Sequence, residues 1–287
     1  MKEPAEVKEA QEQLCDVAAF FDLDGTLLGL PSLERRLFRT LRYQRAIPAK
    51  NYFLWFCEAV RLMPRGVSAI AQANKMYLHG VQTFDERGGG DGEVSLRLNA
   101  GQQAEGQASA AQRRKPRLPV PTFFPQAIER VAWHARQRHE IVLVSGTVEP
   151  LARAAARAME TALSARGINA AIRVCATRLG ERDGTWTGRI LGEAMFGEAK
   201  AQAAKRLAAE MRLDLARCYA YGDTANDRWL LDVVGKASAV NPSRELARMA
   251  QAHGWAVLHW AKKESLTQRH RVHGEAAKGK DQPAAIA

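Results

Sequence analysis

Residues 17–26 read VAAFFDLDGT, a short apolar run that stops abruptly at two aspartates and a glycine. An apolar run of that length, bounded by turn residues, is the pattern of a strand buried on both faces, as in a parallel sheet. Asp22 and Asp24 then fall where the strand ends and the chain turns at Gly25. Two carboxylates at the end of a parallel strand repel one another unless a proton or a cation lies between them. A hard cation that takes oxygen ligands, such as Mg2+, answers that repulsion, whereas an Asx-rich turn is the plainer reading.

Three further runs have the same look: 141–144 (IVLV), 171–176 (AIRVCA) and 218–221 (CYAY). Between them lie helical patterns. In 125–139, Ile128, Val131, Ala132 and Ala135 keep the spacing of one helix face, and 150–165 and 198–212 are rich in strong helix formers. Strands alternating with helices predict an α/β fold, a Rossmann-like three-layer arrangement in which a doubly wound parallel sheet is covered on both sides. The α/β core is expected over 14–30 and 118–261. Residues 31–85 break the alternation with helical, aromatic-rich sequence and read as an inserted helical unit. In it Tyr52, Phe53, Trp55 and Phe56 are expected to form internal core. Residues 86–117, rich in Gly, Gln, Ala and Ser, read as a flexible loop, and 262–287 as a disordered basic tail.

The 287 residues are 46% hydrophobic and 25% charged, which excludes a collagen-like, a disulfide-framework or a wholly disordered chain. No apolar run approaches the ~18–20 residues of a membrane span. The first 13 residues are too polar for a secretory signal, so a cytoplasmic location is expected. Cys15, Cys57, Cys175 and Cys218 lack paired spacing and read as buried free thiols. Much of the net charge of +11 is local, in the basic tail and in 34–45, where five arginines accompany one glutamate. Leu33, Leu37, Phe38 and Leu41 give that segment an apolar stripe, with arginines around it.

Three more polar clusters adjoin the expected strands. Ser145-Gly146-Thr147 follows IVLV, where hydroxyls and backbone N–H groups can hold an anion or merely cap the next helix. Lys200 opens the helix 198–212. Gly222-Asp223-Thr224-Ala225-Asn226-Asp227 follows CYAY and adds two carboxylates four positions apart. One sheet edge would thus gather acids for a metal, a hydroxyl and an ammonium for phosphate oxygens, and a free carboxylate to attack.

The order and spacing of DxDGT, a serine after the second strand, a lysine and GDxxxD resemble the haloacid dehalogenase superfamily, and within it the phosphoserine-phosphatase-like branch. That resemblance implies a Mg2+-dependent phosphomonoester hydrolase working through an aspartyl-phosphate. Asp22 is the implied nucleophile, Asp24 the general acid and base, and Lys200 the third catalytic residue. The implied metal set is Asp22, Asp24 (through its backbone carbonyl), Asp223 and Asp227, with Asp227 positioning Lys200 or a metal-bound water. The implied phosphate-binding set is Asp22, Gly25, Thr26, Ser145, Gly146, Lys200 and Asn226. Thr26 is expected to hydrogen-bond around the Asp24 turn. The 31–85 insertion corresponds to the branch's helical cap, and the span from Ser145 to Lys200 leaves room only for core strands and a turn over 183–188.

Two departures bear on specificity. The acidic residue that reads the amino group of phosphoserine should come soon after the first motif, but Glu34 comes late, and the second motif is SGT rather than SGG. The expected partner is therefore a small phosphorylated molecule, a metabolite or lipid headgroup, with no specific nucleic acid and weak contact with a membrane surface. Phosphotransfer to a sugar, as in mutases, and a basic membrane- or nucleic-acid-binding protein on the same scaffold are the alternative functions.

Overall fold

A computed structural model describes residues 16–83 and 119–261, so the expected loop at 86–117 and tail at 262–287 lie outside the described residues. The first strand, β1 (Ala18–Phe21), is buried along its whole length. Its side chains alternate between two cores, Ala19 and Phe21 in one and Ala18 and Phe20 in the other, as the period of a strand requires. The chain then enters α1 (Leu33–Tyr43), α2 (Lys50–Leu62) and α3 (Val67–Ala73). It returns through α4 (Pro125–Arg136), β2 (Glu140–Val148), α5 (Glu149–Ser164) and β3 (Ile172–Thr177). A hairpin of β4 (Leu179–Arg182) and β5 (Thr185–Ile190) precedes α6 (Glu198–Met211). The last part is β6 (Tyr219–Gly222), α7 (Arg228–Asp232), β7 (Lys236–Val240), α8 (Arg244–His253) and β8 (Ala256–Leu258).

Six strands form one parallel sheet in the order β3-β2-β1-β6-β7-β8. Helices α4 and α5 pack on one face and α6, α7 and α8 on the other, which is the doubly wound arrangement. The chain leaves β1 toward β2 on one side and comes back to β6 on the other. The carboxyl end of β1 is thus the point where the winding reverses and a ligand crevice opens.

Several expectations need correction. The strand begun by IVLV runs on to Val148, so Ser145, Gly146 and Thr147 lie inside β2, where its register against β3 shifts. Of the span between Ser145 and Lys200, only β3 joins the sheet. Strands β4 and β5 pair with each other and reach the helical insertion instead, where Trp186 N donates to Val81 O and Gly80 N to Trp186 O. The aromatics of α2 are not internal: Tyr52, Phe53, Trp55 and Phe56 are all exposed. Of the described cysteines only Cys218 is buried, and Cys57 is exposed. Finally, α1 does not stand apart from the core. Leu33, Leu37 and Leu41 belong to the same apolar cluster as Ala19, Phe21, Leu143 and Leu151.

Candidate active site

The carboxyl ends of β1, β2 and β6 and the first turn of α6 converge on one cavity of about 430 Å³, roofed by α1 and α3. Asp22, Asp24, Ser145, Gly146, Lys200, Asp223, Asn226 and Asp227 all line it. At its centre Lys200 Nζ donates to Asp22 Oδ1 at 2.5 Å and to Asp227 Oδ1 at 2.6 Å. The other Asp227 oxygen accepts from Asp223 N, Thr224 N and the Thr224 hydroxyl. Both Asp227 oxygens are therefore engaged: the residue anchors Lys200 and shapes the 223–227 turn, and its carboxylate stays within reach of the same ion as Asp22 and Asp223. Gly222 permits this closeness, since a Cβ there would overlap the Asp227 side chain.

Carboxylate oxygens of Asp22, Asp223 and Asp227 lie within 4.8 Å of one another. Burial pushes the Asp22 carboxyl above its ordinary range; Lys200 pulls it down, while Asp227 adds to the rise. Burial likewise raises Asp223, helped by Asp22 and Asp227. Burial disfavours the Lys200 ammonium, but Asp22 and Asp227 more than offset that and hold it charged. One ammonium among three carboxylates leaves an excess of buried negative charge, which a divalent cation would neutralise. An oxygen-only donor set is what Mg2+ takes, so the residues fit the metal, with Asp22, Asp223 and Asp227 the side chains available to hold it.

Asp24 stands apart from that cluster. Its Oδ1 accepts from Leu33 N at 2.8 Å, so the first turn of α1 holds it at the cavity wall. Burial raises its carboxyl pKa, which suits a group that must carry a proton before giving it up. Gly25 and Thr26 do not line the cavity and pack instead against Asp223. Gly25 has φ 98°, and a Cβ on it would overlap the Asp223 carboxylate. Thr26 is fully buried, and its hydroxyl points at Asp223 Oδ1, 3.5 Å away, rather than around the Asp24 turn.

Of four further cavity residues, Thr147 and Glu34 already figure in the sequence reading, whereas Lys75 and Phe196 do not. The buried Thr147 hydroxyl has no hydrogen-bond partner among the described residues, while its backbone N–H donates to Ser145 Oγ at 3.2 Å. Its adjacency to Ser145 was the available signal. Glu34 reaches the roof of the cavity, where Lys75 Nζ donates to its two oxygens at 2.6 and 2.8 Å and the Tyr77 hydroxyl at 2.9 Å. Lys75 is itself buried. Nothing in the spacing marks a pair 41 positions apart. Phe196 lies against Gly146, where any Cβ would strike its ring, and beneath Lys75, whose Nζ is 5.9 Å from the ring centre. It thereby joins β2 to the roof.

The haloacid dehalogenase-like hydrolase family model matches residues 19–232. A Mycobacterium tuberculosis protein named a probable phosphatase is 36% identical over 150 residues, 52% of this chain and 48% of that one, so the match spans about half the relative's length. A phosphoserine phosphatase of the same species is 27% identical over 241 residues, 84% of this chain and 70% of the relative. Among solved structures, a protein of unknown function from Bordetella pertussis superposes with a TM-score of 0.55 at 27% identity, covering 85% of this chain and 98% of the other.

Proposed function

The chain belongs to the haloacid dehalogenase-like hydrolases, and from that premise we propose that it is a Mg2+-dependent phosphomonoester hydrolase of the phosphoserine-phosphatase-like kind, working through an aspartyl-phosphate. The observation that carries the reading is the buried Lys200 held between Asp22 and Asp227 at the floor of a cavity closed by helices. An ammonium in that position holds a phosphoryl group against the carboxylate that attacks it. The Asp22 carboxylate oxygen forms a bond to phosphorus as the bond to the ester oxygen breaks. Asp24 gives its proton to the departing oxygen. In the second half Asp24 takes a proton from water, whose oxygen attacks phosphorus and releases Asp22 and inorganic phosphate. Ser145, Thr147 and Lys200 hold the equatorial oxygens throughout. Asp22, Asp223 and Asp227 would hold Mg2+, which would neutralise the charge shared by an anionic nucleophile and an anionic substrate.

The roof of the cavity bears on the leaving group. Glu34, the one carboxylate there among the described residues, is already paired with Lys75 and Tyr77. A substrate ammonium would have to break that pair, so the favoured ester has a leaving group without a free amine. The test is turnover of p-nitrophenyl phosphate and a panel of phosphorylated metabolites and lipid headgroups, with and without Mg2+. Metal-dependent release of phosphate that disappears in Asp22→Asn is expected. Turnover retained by that variant, or none from any ester, would sink the reading.

A further inference from the structure

We propose that the exposed apolar face of α2, acting together with the exposed arginines of α1, docks the protein on the surface of an anionic phospholipid bilayer. At about 100° of rotation per residue, Tyr52, Phe53, Phe56, Val60 and Met63 fall within one arc of about 100° on α2. All five are exposed, Phe53 by 69% and Met63 by 61%. This is not the face by which α2 is anchored. The adjoining side buries Asn51, Ala59 and Leu62, and Asn51 Nδ2 donates to the carbonyls of Tyr77 and His79. A contiguous apolar stripe left in water by an already anchored helix marks an interaction surface.

Charge decides which partner fits. Residues 35–73 carry eight cationic side chains and one carboxylate, Glu58, which Arg61 already occupies. Arg39, Arg42 and Arg45 are exposed, and no ion pair joins them to any described residue. Exposed aromatic side chains and unpaired arginines within one stretch of chain suit the headgroup region of a negatively charged leaflet, where the rings enter the interface and the guanidinium groups meet lipid phosphates. A second copy of the chain would set the same cations against one another. The contact is with the surface alone, because no described helix is long and apolar enough to cross a membrane.

The full chain should co-sediment with vesicles of phosphatidylcholine mixed with phosphatidylglycerol, and not with phosphatidylcholine alone. Both the double change Phe53→Ser with Phe56→Ser and the triple change Arg39→Gln, Arg42→Gln and Arg45→Gln should lower the bound fraction at least about tenfold. Turnover of p-nitrophenyl phosphate in solution should stay at the wild-type rate, which shows that the variants are folded. Equal binding to neutral and anionic vesicles overturns the proposal, and so does undiminished binding by either variant, as would follow if residues 262–287 carried the attraction. A wild-type dimer that Phe53→Ser with Phe56→Ser dissociates would also overturn it, since the stripe would then be an interface between copies.

Discussion

At the scale of single residues, the three buried carboxylates and Lys200 act as one unit, and changes within it are not interchangeable. Asp22→Asn should lower turnover by at least about a thousandfold while the chain keeps its melting temperature, because it removes the attacking oxygen and one of the crowded charges. Lys200→Met should behave differently. It removes the ammonium that Asp22 and Asp227 share, a loss of about 3–5 kcal/mol readable by denaturant unfolding, part of which added Mg2+ should restore. At the roof, Lys75→Met frees Glu34. Turnover should then shift toward esters with an amine in the leaving group, seen as a lower KM for phosphoserine against an uncharged ester. A lower KM for both alike would refute the role given to the pair. The acids and Lys200 were readable in advance because each sits inside a short motif at a strand end or helix start. Glu34 and Lys75 were not, because their partnership exists only once the roof folds over the sheet. Thr26 and Gly25 share a motif with Asp22 yet serve Asp223, a distinction that only packing makes.

At the scale of elements, the sheet edge sets how the site responds to pH. The carboxyls of Asp22 and Asp223 are both raised in the fold, so the metal-free folded chain binds more protons than the unfolded one. It therefore loses stability as pH climbs from the ordinary carboxylate range toward neutrality. A divalent cation requires both groups ionised, so Mg2+ should raise the melting temperature more at about pH 8 than at about pH 5. Equal shifts at both would argue against these acids as its ligands. The other end of the sheet has the opposite sign. His134 on α4 is fully buried, with Nε2 2.9 Å from the Tyr221 hydroxyl of β6 and Nδ1 2.8 Å from His139 Nδ1. Burial, then the neighbouring His139 and Arg130, lower its pKa from 6.5 to about 3. Its contribution to stability is complete above 6.5 and is lost as pH falls toward 3. His134→Gln should flatten that acid limb in a pH series of unfolding curves. Strands β1, β2, β3 and β6 announce themselves by buried apolar runs. KASAV and AVL, which become β7 and β8, are short and alanine-rich, and only pairing with β6 and with each other makes them strands. The register shift in β2 is equally silent in sequence, since it depends on where β3 lies.

At the scale of the molecule, the insertion announces its helices but not its attachment. Leucines at the spacing of one helix face predict α1, and they are buried as expected, but against the sheet's own cluster rather than in a core of their own. The β4–β5 hairpin adds a second tie through Trp186 and residues 80–83. Amide exchange should therefore be as slow over α1 as over β1, while exchange over α3 is faster; a fast α1 would contradict the shared cluster. The aromatics of α2 differ from expectation for a related reason: their number suggests an interior, whereas Tyr52, Phe53, Trp55 and Phe56 face solvent. A lid soldered to its frame in this way cannot swing as a rigid plate without tearing apolar side chains out of the sheet's interior. Entry and exit of reactants would then be left to rotamer changes around the rim, and the turnover rate should be nearly indifferent to added glycerol or sucrose, unlike that of enzymes throttled by large hinged motions through a viscous solvent.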